Sequence, residues 1–208
     1  MSQKDNDLEV RSAVAGDAKF IVDTFDSTLP YLASVGAGEM WGSEPFSQRD
    51  GFMEDIVEAI QKVEDKEADD TRRILVVERR DPNGAENRVA AAMIRDALPD
   101  HLHQRPELAE EISKALPLLY LEVLIADHRA GPDRKGAGAA VIQFMKRRAQ
   151  ASGKRVLYTD AWAGNARRLN RYYADLGFAE VGDFSLTRKN GSTWTGTLLR
   201  LDLSRSAN

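Results

Sequence analysis

Apolar and polar residues alternate from Leu8 to Ala13, the pattern of a short half-buried strand, and after Gly16-Asp17 the apolar residues Ala18, Phe20, Ile21, Phe25 and Leu29 return at helical spacing. Residues 29–50 break both patterns. Gly36, Gly38 and Gly42 interleave there with Tyr31, Trp41 and Phe46, which predicts a long irregular loop of the kind that carries function. Phe52, Ile56, Ile60 and Val63 predict a second helix, running out in the acidic EDKEADD as a solvated end. Residues 73–79 and 88–94 read as two strands joined through Asp81-Pro82-Asn83-Gly84, hence a hairpin.

A short amphipathic helix is predicted over 108–116, followed by a mostly buried strand over 118–126. The turn HRAGPDRKGAGAA then opens a helix whose apolar residues are Ala140, Val141, Phe144 and Met145, closed by Gly153. Residues 155–161 form a strand and 166–176 a last helix with Gly177 as its C-cap glycine. Strands over 178–186 and 194–203 surround an Asn190-Gly191 turn. The order β-α-α-β-β-(α)-β-α-β-α-β-β predicts an α/β (α+β) class fold, with a mixed, largely antiparallel central sheet flanked by helices. With 208 residues and no Pro/Gly/Ser-rich linker, residues 1–208 read as one domain.

Composition removes several chemistries. The chain has no cysteine, so there is no disulfide framework, thiolate zinc site, iron–sulfur cluster or cysteine nucleophile. His101 and His103, in a polar stretch, read as solvated side chains, and no metal is assigned. The richest apolar run, 116–126, is interrupted by Pro117 and Glu122 and is well short of the ~20 residues of a membrane span. The N-terminal MSQKDNDLEVR lacks the apolar core of a signal peptide. A soluble intracellular protein, cytoplasmic rather than membrane-bound, is the expectation.

The net charge of −4 conceals a split that redirects the argument. From Arg129 to Arg171 there are eleven Lys or Arg against Asp133 and Asp160 alone, a local +9, while the remainder carries −13. The basic segment begins where a buried strand feeds a glycine-rich turn, Asp133-Arg134-Lys135-Gly136-Ala137-Gly138, into a helix N-terminus. Unpaired first-turn amides and the helix dipole make such a junction an anion site. Two familiar phosphate loops do not fit. A dinucleotide fingerprint needs glycine where Val141 stands and a strand end directly before it, and no Walker A string exists. Nucleic-acid binding is disfavoured because the basic residues spread over a turn and two helices without a regular aromatic platform.

The strand LYLEVLIAD, the turn DRKGAG, the helix AAVIQFMKRRA, the strand RVLYTDA and NARRLNRYYADLGF together resemble the GNAT superfamily of acyl-CoA-dependent N-acyltransferases. The family's turn signature is Gln/Arg-x-x-Gly-x-Gly/Ala, and its last helix commonly ends Tyr-x-x-Leu-Gly-Phe, here Tyr173 to Phe178. The opening LEVRSAVAGDA also looks like the family's first strand and helix. Asp133 departs from the signature, since an ionised carboxylate cannot donate to phosphate; Arg134 or Arg129 would supply that donor. An insertion at about 97–117 also lengthens a connection that the family usually keeps tight. It would cover the acceptor site or form a homodimer contact.

The resemblance implies acetyl-CoA as co-substrate, its pyrophosphate on Gly136, Ala137, Gly138 and Ala139 beside Lys135, its pantetheine along Leu124, Ile125 and Ala126, and a further polar contact or N-cap at Asn165. The spacing of Ala166, Leu169, Tyr173 and Leu176 turns Tyr173 inward and Tyr172 away, which agrees with the motif in choosing Tyr173 as general acid. Glu122, a carboxylate within a buried strand, is the candidate base, its alternative being an ion pair with an arginine. Without cysteine, direct attack in a ternary complex is expected. In the family the acceptor meets the loop between the first two helices, here with Tyr31, Glu39 and Trp41, a mixture suited to a small cationic amine. A protein lysine or N-terminal acetyltransferase, or an inactive CoA-binding sensor, are the competing readings.

Overall fold

Alternating and continuous apolar runs pair as β1 (Leu8–Ser12), β2 (Arg73–Arg80), β3 (Glu86–Arg95), β4 (Leu118–Ala126), β5 (Val156–Trp162), β6 (Ala179–Thr187) and β7 (Thr193–Asp202). The helices are α1 (Ala18–Ser34), α2 (Phe52–Glu64), α3 (Asp100–His103), α4 (Ala109–Ile112), α5 (Ala137–Ala151) and α6 (Gly164–Asp175). This computed structural model describes residues 7–64, 72–81, 83–188 and 191–203. The expectations for the acidic run after Glu64, for Pro82 and for Asn190 lie outside them.

Strand order is β1-β2-β3-β4-β5-β7-β6. β4 and β5 are parallel, whereas β1/β2, β2/β3, β5/β7 and β6/β7 are antiparallel. The sheet is therefore mixed and largely antiparallel, as the element order predicts. The chain divides into two compact units, Met1–Ile94 with Val123–Phe144 and Arg95–Glu122 with Met145–Asn208. In the first unit, Ile21, Val22 and Phe25 of α1 and Ile56 and Ile60 of α2 pack with Ile74, Val76 and Met93 of the sheet. In the second, Tyr120, Val156, Tyr158, Phe184 and Leu198 pack with Leu98, Leu102 and Leu108. The segment 97–117 is thus part of a core, held further by Glu111, which accepts from Arg200 at 3.0 Å and from the Tyr158 hydroxyl.

Several helices differ from the expectation: the helix expected over 108–116 is only Ala109–Ile112, preceded by the unexpected Asp100–His103, and α1 and α6 differ as well. The irregular loop expected over residues 29–50 begins later, because α1 continues through Pro30 to Ser34. Proline costs the helix the bond to the Asp26 carbonyl. The Asp26 carboxylate anchors the irregular segment beyond α1, accepting from the Phe46 and Ser47 amides at 2.6 and 3.3 Å. In α6, Asn165, Ala166 and Arg167 have φ of 49, 48 and 56°, so right-handed helix begins only after Arg167. Left-handed backbone costs a β-carbon residue roughly 1–2 kcal/mol. Arg167 offsets this with ion pairs to Asp183 and Glu180 and a 2.9 Å bond to Thr197. Ala166 is consequently exposed instead of lying on the inward face.

Asp17, almost wholly buried in the first unit, accepts from Arg11 at 2.6 and 3.1 Å, Arg88 at 3.0 Å and the Val14 amide at 2.9 Å. Burial raises its pKa, but these donors, Arg11 first, outweigh burial and hold it below the usual carboxylate range. Its contribution to stability is therefore present above the unfolded-state pKa and is lost as pH falls through the folded one. Asp17→Asn is expected to cost about 2–3 kcal/mol at pH 7, read from urea midpoints, and the difference should shrink in acid. An unchanged midpoint at pH 7 would contradict this.

Candidate active site

The glycine-rich turn lies in the first unit. Residues His128–Arg134 form two short 3-10 turns broken at Gly131, and Gly136, at φ 88°, redirects the chain into α5. Its positive φ favours glycine, and a β-carbon there would come into ordinary contact with Leu8 Cδ1 at 3.4 Å. Ala140 is the first α5 amide with a carbonyl four residues back, reaching Gly136 at 3.0 Å. The amides of Ala137, Gly138 and Ala139 precede it in the first turn, where helical amides have no intrahelical acceptor. The positive end of the α5 dipole adds to them.

The basic residues of this turn have distinct tasks. Arg129 is engaged by Asp127 through Nε at 2.8 Å and by Asp23 at 3.3 Å. Its Asp127 partner raises its pKa first, so its charge is fixed but already shared. Arg134 donates to the Gly131 carbonyl, while Lys135 is exposed. Arg79 of β2, which sequence inspection missed, donates to the carbonyls of Asp133 and Lys135, each at 2.7 Å. It ties the turn to the sheet. Within β4, Ile125 is buried in the first unit's core, and Leu124 and Ala126 are half-buried.

A second group of side chains gathers in the other unit where the β4/β5 ladder stops. The last pair is Leu121 with Thr159, although β4 runs on to Ala126 and β5 to Trp162. Beyond that rung the two strands do not hydrogen-bond to each other. The Thr159 hydroxyl donates to the Leu121 carbonyl at 3.0 Å and faces the Tyr173 phenol, on whose charge it acts. Tyr173 is 5 % exposed and Tyr172 39 %, so the spacing argument chose the inward tyrosine correctly. Burial pushes the Tyr173 phenol well above its ordinary value, which keeps the proton on it at neutral pH. Asn165 does not have the extended geometry of an N-cap residue, being left-handed.

Successive strand residues face opposite sides. Thr159 turns toward Tyr173, whereas Asp160 accepts from the fully buried Tyr120 hydroxyl on the other face. Asp160 is half-buried by area, yet protein atoms surround its carboxyl closely enough that desolvation lifts its pKa to about 7. On β4, Glu122 shares the face of Tyr120 and pairs with Arg95 at 3.2 Å. His101 of α3 packs against Phe184, and burial lowers its pKa, with Arg105, Glu122 and Arg95 acting on its charge. Its Nε2 is buried with no hydrogen-bond partner among the described residues, so His101 is not the solvated residue expected; His103 is exposed. Asp160 and His101 were missed because each stands alone in an ordinary strand or helix; only the parity of Tyr158 and Asp160 marks a carboxylate at a core-facing position.

The three residues expected at the acceptor site have different surroundings. Tyr31 stacks on His128 with ring centroids 4.1 Å apart, Trp41 packs with Phe25 and Phe46 at 5.7 and 5.6 Å, and Glu39 is exposed. The Trp41 contacts are those of core packing beneath a loop. No cluster of metal-ligating side chains occurs among the described residues, and no helix among them is long and apolar enough to cross a membrane.

No protein-family model and no curated protein matches the chain. Its architecture does have solved counterparts. A GNAT family acetyltransferase from Listeria monocytogenes is 20 % identical, with 94 % of each chain covered and a TM-score of 0.60. A Salmonella typhimurium protein solved with its cofactor acetyl-CoA is 17 % identical, covering 98 % of each chain at 0.56. The spermidine/spermine N-acetyltransferase of Vibrio cholerae is 16 % identical, covering 97 % of this chain and 96 % of its own at 0.57. The chain has the GNAT fold. Within that fold, the turn before α5, the interrupted β4/β5 ladder and Tyr173 occupy the segments from which the sequence resemblance was drawn.

Proposed function

We propose that this protein is an N-acetyltransferase that moves an acetyl group from acetyl-CoA to a primary amine of a small molecule by direct attack in a ternary complex. The observation that carries the reading is the Tyr173 hydroxyl, still protonated at neutral pH, at the last rung of the β4/β5 ladder. A proton donor beside the end of a strand ladder is what thioester aminolysis requires. The amides past the ladder's end polarise the carbonyl and hold the developing oxyanion, and Tyr173 protonates the departing thiolate.

Gly136, Ala137, Gly138 and Ala139 bind the pyrophosphate through backbone, with Arg134 and Lys135 adding charge and Leu124, Ile125 and Ala126 offering strand edge to the pantetheine. These are electrostatic contacts to a polyanion and weaken with salt. A fold neighbour described with acetyl-CoA as its cofactor supports this donor. A neighbour named for spermidine and spermine supports a cationic small-molecule acceptor. Glu122, fixed by Arg95, supplies negative charge for that ammonium, and Tyr31 and Glu39 lie on the first unit's exposed surface where a cation is attracted.

Equilibrium titration with acetyl-CoA tests the donor half. Saturable one-to-one binding is expected, weakening as salt rises, and Arg79→Ala should raise Kd about tenfold by releasing two carbonyls of the turn, in line with charged hydrogen bonds of roughly 1.5–3 kcal/mol. Absence of binding at millimolar acetyl-CoA would overturn the reading.

A further inference from the structure

Resting on the acetyl-transfer reading, we propose that Asp160 is the group that takes the proton from the acceptor ammonium, with the Tyr120 hydroxyl as the positioning residue that holds its carboxylate. Two observations carry this. First, Thr159 and Asp160 are neighbours at the ladder's end and face opposite sides of β5, one toward the Tyr173 phenol and the other toward the Tyr120 phenol. Aminolysis has a matching requirement: one proton leaves the attacking nitrogen and another is delivered to the departing sulfur, two different substituents of the same tetrahedral carbon. A donor and an acceptor of protons on the two faces of one strand match it. Second, Asp160 is the carboxylate of this group that no arginine or lysine among the described residues pairs, whereas Glu122 is tied to Arg95 and Glu111 to Arg200 and Lys114.

The groups around Asp160 are consistent with a base working near neutrality. Tyr120 donates from β4, and Glu122 lies two residues further along the same face. Tyr158 lies two residues back on β5, and its phenol is directed to Glu111. Arg200 of β7, paired in register with Tyr158, is directed to Glu111 and Asp202. From α6, Tyr173 interacts electrostatically with Asp160, and from α3, His101 interacts with Glu122 and Arg95. No cation among the described residues compensates the Asp160 charge directly, so desolvation dominates and its pKa lies at about 7. A base poised there is ionised in part and strong enough to matter.

Protons and electron pairs balance across the reaction. The ammonium gives one proton to an Asp160 oxygen and becomes a neutral amine. Its lone pair forms the C–N bond to the acetyl carbon, and the tetrahedral adduct then breaks its C–S bond. Tyr173 gives its proton to the thiolate and regains one from the N–H of the adduct, leaving amide and coenzyme A thiol. Asp160 releases its proton to water, completing the loss of one net proton per turnover.

The test uses the full chain, acetyl-CoA and the fastest amine of a panel that includes spermidine. The wild type should show kcat/KM rising with pH through a limb near 7, and Asp160→Asn should lose that limb and about a hundredfold in rate at pH 7. Its acetyl-CoA Kd should stay within twofold. Tyr120→Phe removes a donor to the charged form, so it should move the limb to higher pH without changing the acetyl-CoA KM. In carboxyl-labelled aspartate NMR, one resonance should titrate near pH 7 and vanish in Asp160→Asn. Because a raised carboxylate pKa favours the folded state only while protonated, Asp160→Asn should also be more stable than wild type above pH 7, the gap closing toward pH 4. Turnover with the limb intact in Asp160→Asn, or no aspartate titrating between pH 6 and 8, would overturn the proposal alone. No turnover with any amine would overturn the acetyl-transfer reading, and the proposal with it.

Discussion

Replacing Tyr173 with Phe lowers kcat by about a hundredfold or more while changing the KM for acetyl-CoA only a few-fold. The substitution removes one hydroxyl and keeps the ring, which packs edge-on against Phe178 and Tyr172 at 5.6 and 5.4 Å. The fold is thereby preserved. The cost falls on the thiolate, which loses its proton donor in a site where burial keeps the phenol protonated. Because protonation matters only as the C–S bond breaks, the loss belongs to the transition state and not to ground-state binding. Tyr172→Phe, altering an exposed neighbour one position away, should leave kcat unchanged. Equal effects from the two substitutions, measured by steady-state kinetics, would remove Tyr173 from the mechanism.

Gly136→Val acts on the other half of the reaction and should weaken acetyl-CoA binding by about tenfold to a hundredfold. A β-branched residue is strongly disfavoured at φ 88°, and its β-carbon would lie 3.4 Å from Leu8 Cδ1. Strain of roughly 1–3 kcal/mol is expected, relieved by rotating the turn and so misdirecting the Ala137 to Ala139 amides. Gly84→Val is the matched control, with φ at 84° but open space around its β-carbon, in the hairpin turn. It should lower thermal stability to a similar degree and leave affinity unchanged. If both variants bind acetyl-CoA as wild type does, the turn is not the anion site.

Features set by neighbours in the chain were legible in the sequence. The 118–126 strand has the bounds that its mostly apolar run predicts, and Gly177 ends α6 with φ 97°, its neighbour Phe178 donating back to Tyr173 at 3.1 Å. The inward placement of Tyr173 was legible because helical period and motif register agree. Contacts made at long range were invisible. The sequence pattern predicts the loop from Leu29, whereas α1 continues through Pro30 to Ser34, and the Asp26 carboxylate bonding Phe46 and Ser47 anchors the segment that follows. Arg79 looks like one more charged residue at a strand end until the turn 54 to 56 positions later folds against it. Asp160 reads as a single polar break in RVLYTDA, since its meaning depends on Tyr120 of another strand. The acceptor residues suffered most. An aromatic, glycine-rich segment is equally the signature of a binding loop and of a loop packed on a core, and Trp41 belongs to the second.

The segment 97–117 also gains a definite place. Leu102 and Leu108 are wholly buried with the aromatic residues of β4, β5 and β6, and Glu111 secures the segment to Tyr158 and Arg200. Its contribution to the site is His101, which stands beside the Glu122–Arg95 pair in charge though not in sequence. The positive stretch first noticed as a charge imbalance therefore includes the turn proposed for the pyrophosphate, while negative charge accumulates in Glu122 and Asp160 where a cationic amine would be discharged.

The central claim is acetyl transfer to an amine, and its most direct measurement is thiol release from acetyl-CoA across a panel of small amines, with mass spectrometry of the acceptor and a control lacking acceptor. The account predicts amine-dependent release accompanied by an equal amount of N-acetylated product, abolished in large part by Tyr173→Phe. Release that is independent of every amine, or none at all from a protein that binds acetyl-CoA, would contradict it.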